Sequence, residues 1–289
     1  MGDISQAFAD GNVSMSFLPQ GKGFLLGLAG VVSAMAWGLG YFGQPHILVR
    51  FMGISNEREI PKATVIATVW VFFSLVGACA VAMVARPYFP AFTETGDAER
   101  VFILLIGELF HPILAGLFLS AIMAAIMSTI DSQLLVCSST VASDLYLAVK
   151  RTNPSDRAML ILSRVSVVVI AILAAYLALS PNPSIFGLVT FAWGGFGAAF
   201  GPAIIMSLYS RKLSWQALLA GIVAGTVVSL VWKLGLNWSG YMYEIVPGFI
   251  ANFIFIFIFN AIFPQKDAGV LAAYDKVNQK SCCCCCDKQ

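Results

Sequence analysis

Apolar residues fall along this chain in seven long runs, at approximately 23–51, 63–84, 112–145, 159–179, 184–209, 215–234 and 244–263, with short polar connectors between them. Each run is long enough to cross a bilayer as a helix, which takes about 20 largely apolar residues. The pattern predicts an all-α polytopic membrane protein with about seven transmembrane helices. Two runs depart from a plain span. The first contains Trp37-Gly-Leu-Gly-Tyr-Phe-Gly-Gln-Pro-His46, three glycines and a proline in ten residues. Glycine weakens a helix by about 1 kcal/mol and proline by about 3 kcal/mol, so the helix is expected to break there. Inside a membrane a break survives only where the freed backbone groups are buried in protein or face a water-filled cavity. A discontinuous helix of this kind points to a transporter's binding site. The third run, at 1.5 Å per residue, is about 51 Å long and exceeds the hydrocarbon core of about 30 Å. It must tilt, kink, or project into water through SSTVASDLYLAVKR. Between the second and third runs, GDAERVFILLIGELF reads as a short amphipathic helix begun by Asp97, within a re-entrant or surface element over 87–110.

Helical spacing also divides the stretch 120–139 into two faces. Ser120, Ala121, Ala124, Ala125, Ser128, Thr129, Asp131, Ser132, Ser138 and Ser139 share one half of the circumference, and Ile122, Met123, Ile126, Met127, Ile130 and Leu134 the other. A carboxylate on the small-residue face of a membrane segment needs a partner, so an internal ion or substrate path is the default reading for Asp131. A structural pair with Arg164 or a backbone group is the competing one. In the fifth run, Phe191-Ala-Trp-Gly-Gly-Phe-Gly-Ala-Ala-Phe-Gly-Pro202 sets Gly194, Gly195, Gly197 and Pro202 close together. This is a candidate hinge or gate, although tight helix packing accounts for it equally.

Composition supports a membrane setting: 59% of the 289 residues are apolar and 11% charged, against about 25% charged in soluble domains, and mean hydropathy is +0.84. The placement of Lys and Arg sets the orientation. With the N-terminus outside, the inner connectors hold Arg50, Arg58, Lys62, Lys150, Arg151, Arg157, Arg211 and Lys212, while Lys22, Arg86, Arg100 and Lys233 remain outside. The expected layout is an extracytoplasmic loop over 1–22, a transmembrane domain over 23–263 and a cytoplasmic tail over 264–289, in a plasma membrane. The segment Glu94 to Glu99 reads as a solvated acidic loop. Cys79 and Cys137 sit in apolar runs and Cys282 to Cys286 form a terminal tract, which together supply no disulfide framework. His46 and His111 read as packing or interface residues, and no metal site follows from them. No Ser/His/Asp set, glycine-rich phosphate loop or HExxH is present, so an enzyme is not expected.

WGLGYFGQPHILVRFM (Trp37 to Met52) followed by LSAIMAAIMSTIDSQLLVCSS (Leu119 to Ser139) resembles the sodium:solute symporter family, and FAWGGFGAAFGP and YEIVPGFI are similar to its later landmarks. The resemblance covers about 23–263 and only the second half of the family pattern. It implies the second inverted repeat of a leucine-transporter-like fold (core helices six to ten) plus two trailing helices, with the N-terminal transmembrane half missing. It further implies sodium-coupled import of L-proline by alternating access, with Na⁺ as the co-transported ion and no cofactor. Carried over to this chain, the Ala125 carbonyl and the Ser128 and Thr129 hydroxyls would contact sodium. Trp37, Gly38 and Tyr41 would line the proline pocket, with Pro45 shaping the break. Asp131 departs from the family's neutral residue, and with Ser132 it suggests a second cation site or a proton relay. Alternatives remain: a symporter for another small organic solute such as pantothenate, a transporter-like sensory membrane domain, or a remnant inactive by itself. The 26-residue tail over 264–289 is too short for a kinase effector.

Overall fold

The computed structural model describes residues 24–89, 95–150, 155–179 and 184–276. The expected opening loop and the Cys282–Cys286 tract lie outside the described residues, as does Glu94. The described residues are helical, with no strand among them. In chain order the elements are α1 (Phe24–Met35), a 3-10 segment (Ala36–Gly43), α2 (Pro45–Met52), a 3-10 turn (Glu57–Glu59), α3 (Ile60–Tyr88), α4 (Thr95–Leu109), α5 (Pro112–Ser139), a π-turn (Thr140–Leu145), α6 (Tyr146–Lys150), α7 (Asp156–Ala178), α8 (Ile185–Tyr209), α9 (Trp215–Leu230), a second π-turn (Val231–Gly235), a second 3-10 turn (Trp238–Gly240) and α10 (Ile245–Ile262). A last helix, α11, covers 268–276. Among the described residues, seven helical segments are long and apolar enough to cross a membrane, and each falls on one of the seven runs.

Both irregular runs are irregular in the structure. The first span is α-helical to Met35, tightens into an eight-residue 3-10 segment, and is extended at Gln44 (φ −88°, ψ 112°). Runs of 3-10 helix beyond three or four residues are uncommon. Pro45 then starts α2, where its missing N–H costs nothing, and it forces the preceding residue out of the helical region. The overlong third span, Pro112–Lys150, runs through the π-turn, a single i→i+5 turn that shifts the helix face.

The chain divides into two compact units. The first, Val49–Phe186, contains α3 to α7. Here α5 packs against α7, with Ser163 Oγ donating to buried Ser138 Oγ at 3.4 Å and Ser166 also buried. Small side chains at such a crossing allow close backbone approach without a bulky apolar core. α7 begins at Ser155, whose hydroxyl accepts the Ala158 N–H.

The second unit, built from 24–48 and 187–276, holds α1, the 3-10 segment and α8 to α11. Its centre is where α8, α9 and α10 meet. Pro202 lies inside α8 and cannot return an N–H to the Ala198 carbonyl. Asn252 of α10, fully buried, supplies the replacement: its Nδ2 donates to Ala198 O and Ala199 O, both at 2.8 Å. α8 therefore runs without interruption through the proline. Gly225 of α9 lies against the same Ala198 carbonyl, so a Cβ there would collide with backbone. At one end Ser214 caps α9 by accepting the Ala217 N–H, and its own N–H is held by Asn260 Oδ1. Beyond α10, the chain is tied back by an exposed Arg211–Asp275 pair at 2.7 Å.

Replacing Asn252 by leucine strands a buried carbonyl and is expected to cost about 1–3 kcal/mol, read as a lower melting temperature in detergent. In a Pro202→Ala background the restored N–H serves Ala198 O, and the cost of Asn252→Leu falls. Equal costs in both backgrounds would show that the amide does not stand in for the proline's missing donor.

Candidate functional site

The residues expected at a solute pocket sit on the 3-10 segment and its exit. Trp37 is half-buried, Gly38 and Tyr41 are exposed, and Pro45 is half-buried at the start of α2. One residue of α8, Trp193, touches this break on three sides. Its ring stacks on Trp37 at 5.4 Å between centroids and 13° between planes. Its Nε1 donates to the Trp37 carbonyl at 2.9 Å. Its ring also meets Tyr41 edge-on at 4.9 Å and 87°. In addition, Gln44, 5% exposed, donates through Nε2 to the Trp193 carbonyl at 3.3 Å. A break that would strand polar groups in hydrocarbon is thus met by an indole N–H and a buried amide.

Two glycines make this approach possible. A Cβ at Gly40 would fall inside the Trp193 indole, and one at Gly43 would fall on the Phe196 carbonyl and the Gly197 backbone of α8. At Gly38 a Cβ meets nothing within 4 Å, so this position faces open space beside Trp37 and Tyr41. Of the residues expected at a hinge, Gly194 lies against Tyr243 and Gly197 against Ile245 and Gly40. Gly195 lines an apolar cleft of about 280 Å³, and Pro202 is buried.

The residues expected at a sodium site lie in the first unit, on α5. Ser128 Oγ donates to Ala125 O at 2.9 Å and Thr129 Oγ1 donates to the same oxygen at 3.3 Å. Three oxygens therefore converge on one exposed side of a single helix turn. Ser132 Oγ donates to Thr129 O at 2.9 Å and to Ser128 O at 3.1 Å. Such bonds to the preceding turn are ordinary for hydroxyls in apolar helices. Asp131 is exposed, and no ion pair between it and Arg164 is present among the described residues.

Two contributors were not singled out from sequence. Trp193 sits in a glycine-rich motif that suggests packing, and nothing in the sequence links it to the broken span 156 residues earlier. Glu99, read as part of a solvated acidic loop, instead caps a helix. Its carboxylate accepts the Phe186 N–H at 2.9 Å, the Ile185 N–H at 3.0 Å and the Ser184 hydroxyl at 3.0 Å. The Phe186 N–H, opposed by partial burial and reinforced by Ile185 and Ser184, holds this carboxyl below the usual carboxylate range. Anionic groups at helix N-termini are favoured by the orphan amides there.

Among the described residues, seven apolar helices, the first broken at a cluster of aromatic and polar groups, fit a multi-pass membrane protein. The chain belongs to the sodium:solute symporter family, which it matches over residues 4–225. It is 44% identical over 229 residues to the high-affinity proline transporter PutP of Bacillus subtilis (strain 168), covering 79% of this chain and 48% of that protein. The sodium/proline symporter of Escherichia coli (strain K12) is 44% identical over 242 residues, or 82% and 48% of the two chains. The sodium/proline symporter of Staphylococcus aureus is 38% identical over 262 residues, or 87% and 51%. The chain thus spans about half the length of the curated relatives it matches. No solved structure is significantly similar to it.

Two outcomes follow from this geometry. Gly43→Ala is expected to abolish folded, monodisperse protein in fluorescence-detected size exclusion, because backbone cannot yield, whereas Gly38→Ala elutes like the unaltered chain. Glu99→Ala is expected to lower the melting temperature. Since the folded carboxyl titrates below its ordinary value of 4.5, the difference between the two proteins is full above that pH. It closes as pH falls through the lowered value.

Proposed function

We propose that this chain carries out sodium-coupled import of L-proline by alternating access in a bacterial plasma membrane, together with a further set of transmembrane helices that it does not itself contain. The observation that carries this reading is the identity of 44% to proteins named as proline transporters and sodium/proline symporters, spread over about four-fifths of the chain. The bias of Lys and Arg toward one set of connectors supports an outer N-terminal and a cytoplasmic C-terminal end. The family resemblance supports a second inverted repeat of five helices followed by two trailing helices.

In this reading Ala125 O, Ser128 Oγ and Thr129 Oγ1 are sodium ligands. Their convergence within hydrogen-bond distance supports it. Both hydroxyls would turn their protons away and present lone pairs, since hard cations take oxygen ligands. Three oxygens from one face of one helix cannot enclose an ion, so the remaining ligands must come from the absent helices. Asp131 and Ser132, one turn along the same helix, would form a second cation site or a proton relay. Trp37, Gly38 and Tyr41 would hold the solute, with aromatic faces for the pyrrolidine ring and the broken backbone for its charged groups. Sodium and proline then strengthen each other's binding by the same factor. Gly194, Gly195, Gly197 and Pro202 would act as the hinge or gate of α8, with Gly194 and Gly197 close-packed against their neighbours and Gly195 on the open cleft.

The test is uptake of radiolabelled proline by this chain co-expressed with the N-terminal half of the Escherichia coli symporter in a proline-transport-deficient host. Ser128→Ala and Thr129→Ala are each expected to raise the half-saturating Na⁺ concentration by tenfold or more at unchanged surface abundance. An unchanged Na⁺ dependence would remove both hydroxyls from the ion site.

A further inference from the structure

The two trailing spans supply no residue to the ion and solute sites proposed above, yet the second of them reaches directly into the broken span. Tyr243 immediately precedes the α10 cap and is 8% exposed. Its backbone N–H donates to Ser33 Oγ of α1 at 3.0 Å. Its hydroxyl donates to Thr190 O of α8 at 2.7 Å. Its ring stacks on Trp37 at 6.3 Å and 19°. Gly194, next to Trp193, lies so close that a Cβ would stand 3.0 Å from the Tyr243 hydroxyl. One side chain therefore engages α1, the 3-10 segment and α8, the elements that frame the candidate solute pocket.

The residue after it explains how Tyr243 is held. Glu244 is 1% exposed, its Oε1 lies 3.6 Å from Lys233 Nζ, and its Oε2 accepts the Ser239 hydroxyl at 2.9 Å. Ser229 Oγ donates to the Glu244 carbonyl at 3.3 Å, and Trp232 Nε1 donates to Met242 O at 2.9 Å. The connector between α9 and α10 is thus clamped on both sides of Tyr243. A buried carboxylate is tolerated only with such partners, and loss of one leaves the other uncompensated. Burial of the phenol, with the neighbouring Glu244 carboxylate, raises the Tyr243 pKa well above the usual range, so the hydroxyl remains a donor to Thr190.

We propose that Tyr243 is a positioning residue for the solute site: it sets the plane of Trp37 against Trp193, and the Lys233–Glu244 pair holds Tyr243 in register. The trailing helices then belong to the binding machinery at one remove. This inference rests on the reading of Trp37 as a solute contact.

The experiment uses the full chain in two assays. In proline uptake with the co-expressed N-terminal half, Tyr243→Leu, which loses both stack and hydroxyl, is expected to raise the half-saturating proline concentration at least tenfold. Maximal rate per surface transporter stays within twofold. Tyr243→Phe, which keeps the ring, stays within threefold. Glu244→Gln and Lys233→Met, which leave Tyr243 intact, each raise it about threefold, so the inference remains testable if Tyr243→Leu fails to fold. In the second assay, near-ultraviolet circular dichroism of the purified chain isolates the coupled Trp37–Trp193 signal as the part lost in Trp193→Phe. That part is expected to vanish in Tyr243→Leu and to persist in Tyr243→Phe. A loss of maximal rate with unchanged half-saturation, or an unchanged dichroic signal in Tyr243→Leu, overturns the positioning role. Absence of uptake by the unaltered pair would contradict the proposed function instead, and the dichroism would still decide whether Tyr243 orients Trp37.

Discussion

A helix broken in the middle of an apolar span leaves backbone polar groups with neither helix partners nor water, and each costs several kcal/mol in hydrocarbon. The organisation of the second unit follows from how that debt is met. Trp193 gives its indole N–H to the Trp37 carbonyl while stacking on the Trp37 ring, and buried Gln44 returns a donor to the Trp193 carbonyl. The bonds require α8 to lie against the 3-10 segment at backbone distance, which is why Gly40 and Gly43 carry no side chain. α8 in turn contains Pro202, and its own freed carbonyl is met by Asn252 from α10. The break, the proline helix and the trailing helix are thus linked by a chain of donors: Gln44 to Trp193 O, Trp193 to Trp37 O, and Asn252 to the Ala198 carbonyl that Pro202 leaves free.

Much of this was legible along the chain. Seven apolar runs became seven spans because length and hydropathy are local properties. The break at Trp37–His46 was legible for the same reason, since three glycines and a proline disfavour helix whatever surrounds them. The excess length of the third span was visible too, but not the π-turn at Thr140–Leu145 that interrupts it. A tilt or a kink would have satisfied the same count. What the pattern could not show was pairing. Trp37 and Trp193 are 156 residues apart, and nothing near either names the other. Asn252 reads as one polar residue in a phenylalanine-rich helix until the Ala198 carbonyl, freed by Pro202, is placed beside it. Glu99 looked like one more acid in a polar loop because its partners, the Ile185 and Phe186 amides, are backbone groups that every residue carries.

The two candidate sites stand at different stages of completion. The solute side is a formed aromatic corner, with Tyr41 half exposed and Gly38 opening onto free space. The ion side is a single exposed helix turn whose hydroxyls both turn back to Ala125. An isolated turn of this kind spends its donors on its own carbonyl, and an ion must supply more than that bond before either hydroxyl reorients. This difference fits a chain that covers about half of its relatives' length: the aromatic corner is built from within, whereas an ion at the proposed site would need oxygens from elsewhere.

The central claim is that this chain binds proline in a sodium-dependent way once its complementary helices are present. Equilibrium binding of labelled proline to the purified two-part assembly, in Na⁺ against K⁺ at equal ionic strength, measures it most directly. The account predicts saturable binding that tightens at least tenfold in Na⁺ and that unlabelled proline displaces. Binding of equal strength in the two salts, or none in either from a folded assembly, would contradict it.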